Sequence, residues 1–230
     1  MKTAAIITAG GIGKRMGAGL PKQYLEVAGK PIIVHTIERF VGLEGIRQVI
    51  VTVPPGDETS FADDILAPFA LNEMVTVVAG GAERQDSVAN GLAAVADDVE
   101  IVLIHDGVRP FIKHDVIKRS IECARDTGAC VVAMPLKETI KRVDEAGRVE
   151  ETVDRSTLWG AQTPQVFRYD IIREAFDKAE REGFYGTDDT MLVERMGLSV
   201  SVVEGDYNNI KITTTEDLAI AEAIARNWEE

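Results

Sequence analysis

Gly10, Gly11 and Gly13 fall within four positions directly after an apolar run, Ala4 to Ile7. Lys14, Arg15 and Lys22 follow within nine residues of the last glycine. Glycines let a backbone approach a ligand closely and turn successive N–H groups toward it, and cations just beyond them meet negative charge. The chemistry this order suits is the holding of nucleoside triphosphate phosphates. Two familiar glycine loops do not match. The P-loop spacing fails because Thr8 stands five residues before Gly13 and Arg15 follows Lys14, and the dinucleotide pattern fails because Met16 occupies its last glycine position. Leu20-Pro21 constrains the chain between Arg15 and Lys22, unlike a freely solvated charge run.

The rest of the composition makes that cation cluster stand out. The net charge is −13 over 230 residues, which argues against a general nucleic-acid or anionic-membrane surface. Apolar content of 45% and charged content of 27% are ordinary for a globular chain. No apolar run is long enough for a membrane span, and Met1-Lys2-Thr3 reads straight into a strand without a signal-like region, which predicts a cytoplasmic protein. Cys123 and Cys130 show neither metal nor disulfide spacing and read as two buried free thiols. A hydrolase finds little support: there is no G-x-S-x-G elbow, and His105 next to Asp106 in a strand would point to the opposite face. A structural His105 is the better reading.

Further segments join the glycine loop: Gly80-Gly81-Ala82-Glu83-Arg84-Gln85-Asp86-Ser87-Val88, His105-Asp106-Gly107-Val108-Arg109-Pro110-Phe111, Thr152-Val153-Asp154-Arg155, Leu158-Trp159, Ala161-Gln162-Thr163-Pro164-Gln165 and Asn209-Ile210-Lys211. Together they resemble, almost end to end, the 2-C-methyl-D-erythritol 4-phosphate cytidylyltransferase family of sugar-nucleotide pyrophosphorylase-type nucleotidyltransferases. The resemblance implies transfer of CMP from CTP to a polyol phosphate, with pyrophosphate leaving. Such a transfer needs no activated base, because the acceptor phosphate is already an anion; positioned cations and a divalent metal stabilise the transition state. By that resemblance Arg15 and Lys22 stabilise the transition state. Arg109, Thr139, Arg155, Thr163 and Lys211 grip the acceptor, with Arg155 and Lys211 counted among the catalytic cations. The nucleotide would be bound by Ala9, Gly10, Gly11, Gly13, Gly81 and Ser87. Ala82 departs from the Asp that many members carry there. Asp106 lies at a position near the phosphates, as a ligand for Mg²⁺ or a substrate hydroxyl.

Two rival readings are weighed against this one. Ribitol 5-phosphate cytidylyltransferases share the loop, and Gly107-Val108 between Asp106 and Arg109 leans toward them. Thr139, the 152–155 run and Leu158-Trp159 lean back. A non-catalytic nucleotide-binding protein would have no use for Arg15, Lys22, Arg155 and Lys211 together.

The elements that must position these groups alternate. Strands read near 4–8, 48–53, 74–79, 100–105, 129–134 and 199–204, with helices near 31–41, 57–68, 84–96, 114–126, 168–182 and 215–227. That alternation predicts one Rossmann-like α/β domain over 1–230, its mostly parallel sheet covered by helices on both faces. In such sheets ligands bind beyond the carboxyl ends of the strands, where the glycine loop, Gly80-Gly81, Asp106 to Arg109 and Lys211 all fall. Residues from about 137 to 155 break the rhythm. Their polar alternation around Gly147 reads as a projecting β-hairpin arm, and the resemblance implies a homodimer through it; if the arms exchange across a two-fold axis, Thr139 and Arg155 would enter the partner's site.

Overall fold

The computed structural model describes residues 2–10 and 22–228. Strand β1 (Thr3–Thr8) is buried along almost its whole length and leads into the glycine loop. After that loop a short ribbon, β2 (Glu26–Val27) with β3 (Lys30–Pro31), precedes α1 (Ile32–Glu38) and β4 (Ile46–Val53). The next segment was expected as one helix over 57–68. It instead changes geometry twice, from α2 (Glu58–Ser60) through a π turn (Phe61–Leu66) to a 3-10 turn (Ala67–Phe69). Pro68, which has no N–H to donate, sits in the last of these turns. Then come β5 (Val75–Ala79), α3 (Arg84–Ala93), β6 (Ile101–Asp106), α4 (His114–Thr127) and β7 (Ala129–Pro135).

Beyond β7 the chain leaves the alternation. β8 (Ile140–Val143) and β9 (Val149–Val153) pair only with each other, Ile140 opposite Val153. Asp144 builds the turn by accepting the N–H groups of Ala146 and Arg148, and Gly147 takes the positive φ it requires. The chain returns through β10 (Trp159–Arg168), α5 (Tyr169–Glu182), α6 (Asp189–Glu194), β11 (Ser201–Glu204) and α7 (Thr215–Arg226). The Thr214–Asp217 capping box anticipated at the start of the last helix is present.

The seven-stranded sheet runs β11-β7-β10-β6-β1-β4-β5, with β10 antiparallel to both neighbours and the other pairs parallel. The sequence reading placed no strand at 159–168. The two faces of β1 show why helices cover both sides. Ala5 and Ile7 face a core with Ile33, Ile37, Val116 and Ile117 of α1 and α4, while Ala4 and Ile6 face one with Val88, Leu92, Ile172 and Phe176 of α3 and α5. Truncating a fully buried side chain such as Ile6 to Ala is expected to cost about 2–5 kcal/mol. Of the two cysteines, Cys130 is buried as expected, whereas Cys123 is half-buried; both are free thiols.

Candidate functional site

The register of the sheet sets the site. Thr8 at the end of β1 lies opposite both Thr52 of β4 and Asp106 of β6, so the turns leaving three strands begin at one level. Backbone bonds then stitch those turns together: Ala9 N–H to the Thr52 carbonyl, Gly107 N–H to the Thr8 carbonyl, and Gly80 N–H to the Val53 carbonyl. A side chain at Gly107 would place its Cβ 2.8 Å from the Thr8 oxygen, so only glycine permits this approach.

Beside the glycine turn, the Ser87 hydroxyl is enclosed by Gly10, Gly80 and Gly81. It accepts the Gly81 N–H at 3.0 Å and donates to the Glu83 carbonyl at 3.1 Å. The Ala9 carbonyl accepts from the buried Gln23 side chain at 2.7 Å, which anchors the 3-10 turn Lys22–Tyr24 beside the end of β1. The structure therefore brings Ala9, Gly10, Gly81 and Ser87 together. Gly11, Gly13 and Arg15 lie outside the described residues, as does the side chain of Lys22.

Beyond the end of β6 and beside β10 lies an ion cluster in a cleft of about 300 Å³, lined among others by Arg84, Asp106, Arg109, Thr163 and Lys211. Asp106 is buried, and its two oxygens are divided. Oδ1 faces Arg84 Nε at 3.3 Å, while Oδ2 faces Lys211 Nζ at 2.9 Å and Arg109 Nε at 3.4 Å. Burial opposes its ionisation, but Arg84, Lys211 and Arg109 together hold the carboxyl well below the usual carboxylate range. Burial lowers Arg109, only partly offset by Asp106. A larger hollow of about 680 Å³ beside α7 is lined instead by Lys113, Ile220, Trp228 and neighbours, away from this chemistry.

Three anchors hold the cluster in place. Fully buried Asn209 donates to the Thr163 carbonyl at 2.9 Å and to Gln162 Oε1 at 3.0 Å, pinning the loop that carries Lys211 onto β10. Arg109 Nη1 donates to the Asn209 carbonyl at 2.8 Å. Thr163 Oγ1 accepts the Asp106 N–H and donates to His105 Nδ1, each at 3.0 Å, and His105 Nε2–H donates to the Arg109 carbonyl at 3.0 Å. That relay needs a neutral imidazole, and burial lowers the His105 pKa to about 4. His105 is thus the structural residue expected.

Thr139 and Arg155 are not among the residues lining this cleft. Thr139 is exposed at the base of the hairpin, and Arg155 donates to the Lys137 carbonyl there. Sequence reasoning missed Arg84, Gln165, Asp188 and Asp189. Arg84 forks onto Asp189, Asp188 caps α6, and Gln165 bonds both the Asp188 carboxylate and the Asp189 N–H. Arg84 and Gln165 lay inside segments already singled out, but no spacing rule joins them to an acidic pair far along the chain.

In this arrangement the Asp106 carboxylate is committed to its neighbouring cations. Both oxygens already face cations, and the described residues contain no group of three His, Cys, Asp or Glu able to hold a metal. The donor set is suited to anionic phosphate. Among the described residues no helix is long and apolar enough to cross a membrane.

Comparison with known proteins points the same way. The profile of the 2-C-methyl-D-erythritol 4-phosphate cytidylyltransferase (IspD) family matches residues 3–227. A protein of that name from Geotalea uraniireducens (strain Rf4) is 49% identical over 229 residues, covering 99% of this chain and 98% of the relative. One from Syntrophus aciditrophicus (strain SB) is 46% identical over 228 residues, covering 99% and 97%. A crystal structure of the enzyme so named from Thermus thermophilus superposes with a TM-score of 0.82 at 34% identity, covering 98% of this chain and 100% of that one.

Proposed function

The chain belongs to the 2-C-methyl-D-erythritol 4-phosphate cytidylyltransferase family, and from that premise we propose that it transfers CMP from CTP to 2-C-methyl-D-erythritol 4-phosphate. The products are 4-CDP-2-C-methyl-D-erythritol and pyrophosphate, a step of non-mevalonate isoprenoid precursor synthesis. The observation that carries this reading is the Arg84–Asp106–Arg109–Lys211 cluster, set beside the Gly10–Gly81–Ser87 pocket at the carboxyl ends of the central strands.

A phosphate oxygen of the acceptor attacks the α-phosphorus of CTP; the new P–O bond forms as the bond to the β-phosphate oxygen breaks. The acceptor phosphate is an anion at neutral pH, so no residue need take a proton, in keeping with a His105 committed to structure. Lys211 and Arg109 turn from Asp106 onto that phosphate. Arg15 and Lys22 meet charge developing on the α-phosphate. Backbone groups of Ala9 to Gly13 and of Gly81, with Ser87, hold the nucleotide. Magnesium dependence belongs to this reading as well; a divalent cation would neutralise charge on the triphosphate.

The protein acts as a cytoplasmic homodimer of one-domain subunits joined through the hairpins. Two features support this. The hairpin leaves Val143 and Val149 55% and 60% exposed, an apolar surface its own subunit does not cover. Arg155 and Thr139 also stand at the hairpin base instead of in their own cleft. Pyrophosphate release from CTP with each polyol phosphate in turn, and with ATP, GTP and UTP as controls, tests the assignment. Faster turnover of ribitol 5-phosphate would overturn the acceptor, and nucleotide binding without pyrophosphate release would overturn the enzyme reading.

A further inference from the structure

Arg84 takes no step in the transfer described above, yet it lines the cleft. It is the first residue of α3, where the aligned peptide dipoles disfavour a cation. Its support comes from two carboxylates. Nη1 and Nη2 donate to the two oxygens of Asp189 at 3.0 and 2.8 Å, and Nε donates to Asp106 Oδ1 at 3.3 Å. Asp189 is itself fixed: its side chain is 2% exposed, and its N–H is held by Gln165 at 2.9 Å. Lys211 is different, 41% exposed on a long flexible stem and facing the other oxygen, Oδ2, as Arg109 does.

An entering phosphate competes with Oδ2 for Lys211 and Arg109. Arg84 is less free to follow, because its two Nη atoms are forked onto the buried Asp189 carboxylate. We propose that Arg84 is a positioning residue. It keeps Asp106 paired and aimed while Lys211 and Arg109 pass to the phosphate, so that the anion does not enter against an unshielded carboxylate. Its two partners then have separate jobs: Asp189 fixes Arg84 in the fold, and Asp106 is what Arg84 controls. The proposal rests on the phosphate-transfer reading for the identity of the anion, but its test reads binding and not turnover.

The experiment measures phosphate affinity and Tm for the wild type, R84M, R84M/D106N and R84M/D189N. The probes are inorganic phosphate and, separately, 2-C-methyl-D-erythritol 4-phosphate. R84M should weaken phosphate binding about tenfold, and adding D106N should return it to within about threefold of wild type, the non-additivity of neighbours sharing one partner. R84M should also lower Tm by about 10 °C, since it leaves Asp189 buried without its cation. Adding D189N should restore Tm but not affinity. If D106N fails to restore affinity, Arg84 is a strut and the proposal falls. It falls equally if D189N restores affinity as well as D106N does, because net charge alone would then explain the effect. Should R84M not fold, D106N is added to R84M/D189N, with the same two outcomes. Wild type that binds inorganic phosphate but not the erythritol phosphate would sink the acceptor assignment while leaving this comparison readable.

Discussion

The acceptor cleft and the hairpin both carry close ion pairs, yet the two sets do different things. Arg84 and Asp189 are 2.8 Å apart with side chains 31% and 2% exposed; Arg142 and Glu151 across the hairpin are 2.6 Å apart but 60% and 55% exposed. Distance does not separate them, but burial does. In the hairpin, water already solvates each charge, so the pair gains little from meeting. In the cleft, each carboxylate has lost its water and depends on its cations, so removing one partner leaves a charge that nothing replaces. On the phosphate-transfer reading proposed above, the same loss of water would make exchange of Asp106 for a phosphate consequential, and the hairpin's contribution would come through what it touches.

The sharpest break of this contrast is catalytic. Lys22→Ala and Arg15→Ala should each lower kcat by two to three orders of magnitude with the fold intact, since a preorganised donor to developing charge is worth about 3–4 kcal/mol. Steady-state kinetics with CD spectra checks it. Near-normal kcat with only a raised KM for CTP would mean that the cation binds ground and transition state alike.

Next is stability. Asp189→Ala should destabilise by about 3 kcal/mol, the lower end for a broken buried pair because the Arg84 left behind still reaches solvent. Glu151→Ala should cost less than about 1 kcal/mol. Urea titrations of both would erase the contrast if the two midpoints moved equally.

The pairs also show where sequence reasoning stops. The strands β1, β4, β5 and β6 were legible because they are short β-branched runs, β1 and β6 buried almost throughout and β4 along its second half. β10 was not, although it lies inside the sheet. Pro164 brings no N–H to a ladder, and Gln162, Thr163 and Gln165 read as loop. The structure accommodates them with a register shift against β7 between Ala161 and Gln165. Within that stretch the Thr163 hydroxyl, not a ladder carbonyl, meets the Asp106 N–H. The break that hid the strand is the feature that builds the site. Asp106, Arg109 and Lys211 could be grouped because each belonged to a recognisable segment at a strand end. Asp189 could not, since its burial follows from how α6 docks, which no local pattern encodes.

The acid response is of similar size, but it is spread over a range of pH. His105 has a folded pKa of about 4 against 6.5 for the free side chain, so the folded state favours the neutral ring. The resulting stability is full above pH 6.5, is lost as pH falls toward 4, and amounts to on the order of 3 kcal/mol. Asp106, also depressed, adds its own loss only below the ordinary carboxylate range. His105→Gln should therefore flatten the decline between pH 7 and 4.5. An unchanged slope in urea titrations would locate that decline elsewhere.

The mildest readout, a factor of four, bears on the hairpin most directly. If hairpins exchange across a two-fold axis, each site takes Thr139 and Arg155 from the partner and Arg15, Lys22 and Lys211 from its own subunit. Arg155→Ala and Lys22→Ala homodimers are then both nearly inactive, each for want of one cation per site. A mixed dimer differs. One of its sites lacks both cations, while the other draws an intact Lys22 from one subunit and an intact Arg155 from its partner. Random reassortment makes about half the dimers mixed, each with one good site of two, so co-refolded protein should recover about a quarter of wild-type activity. Purified heterodimer should show about half. No recovery in it would place Arg155 in its own subunit's chemistry or remove the hairpin from the interface, and the hairpin would then be a solvated excursion, as its exposed ion pairs alone would suggest.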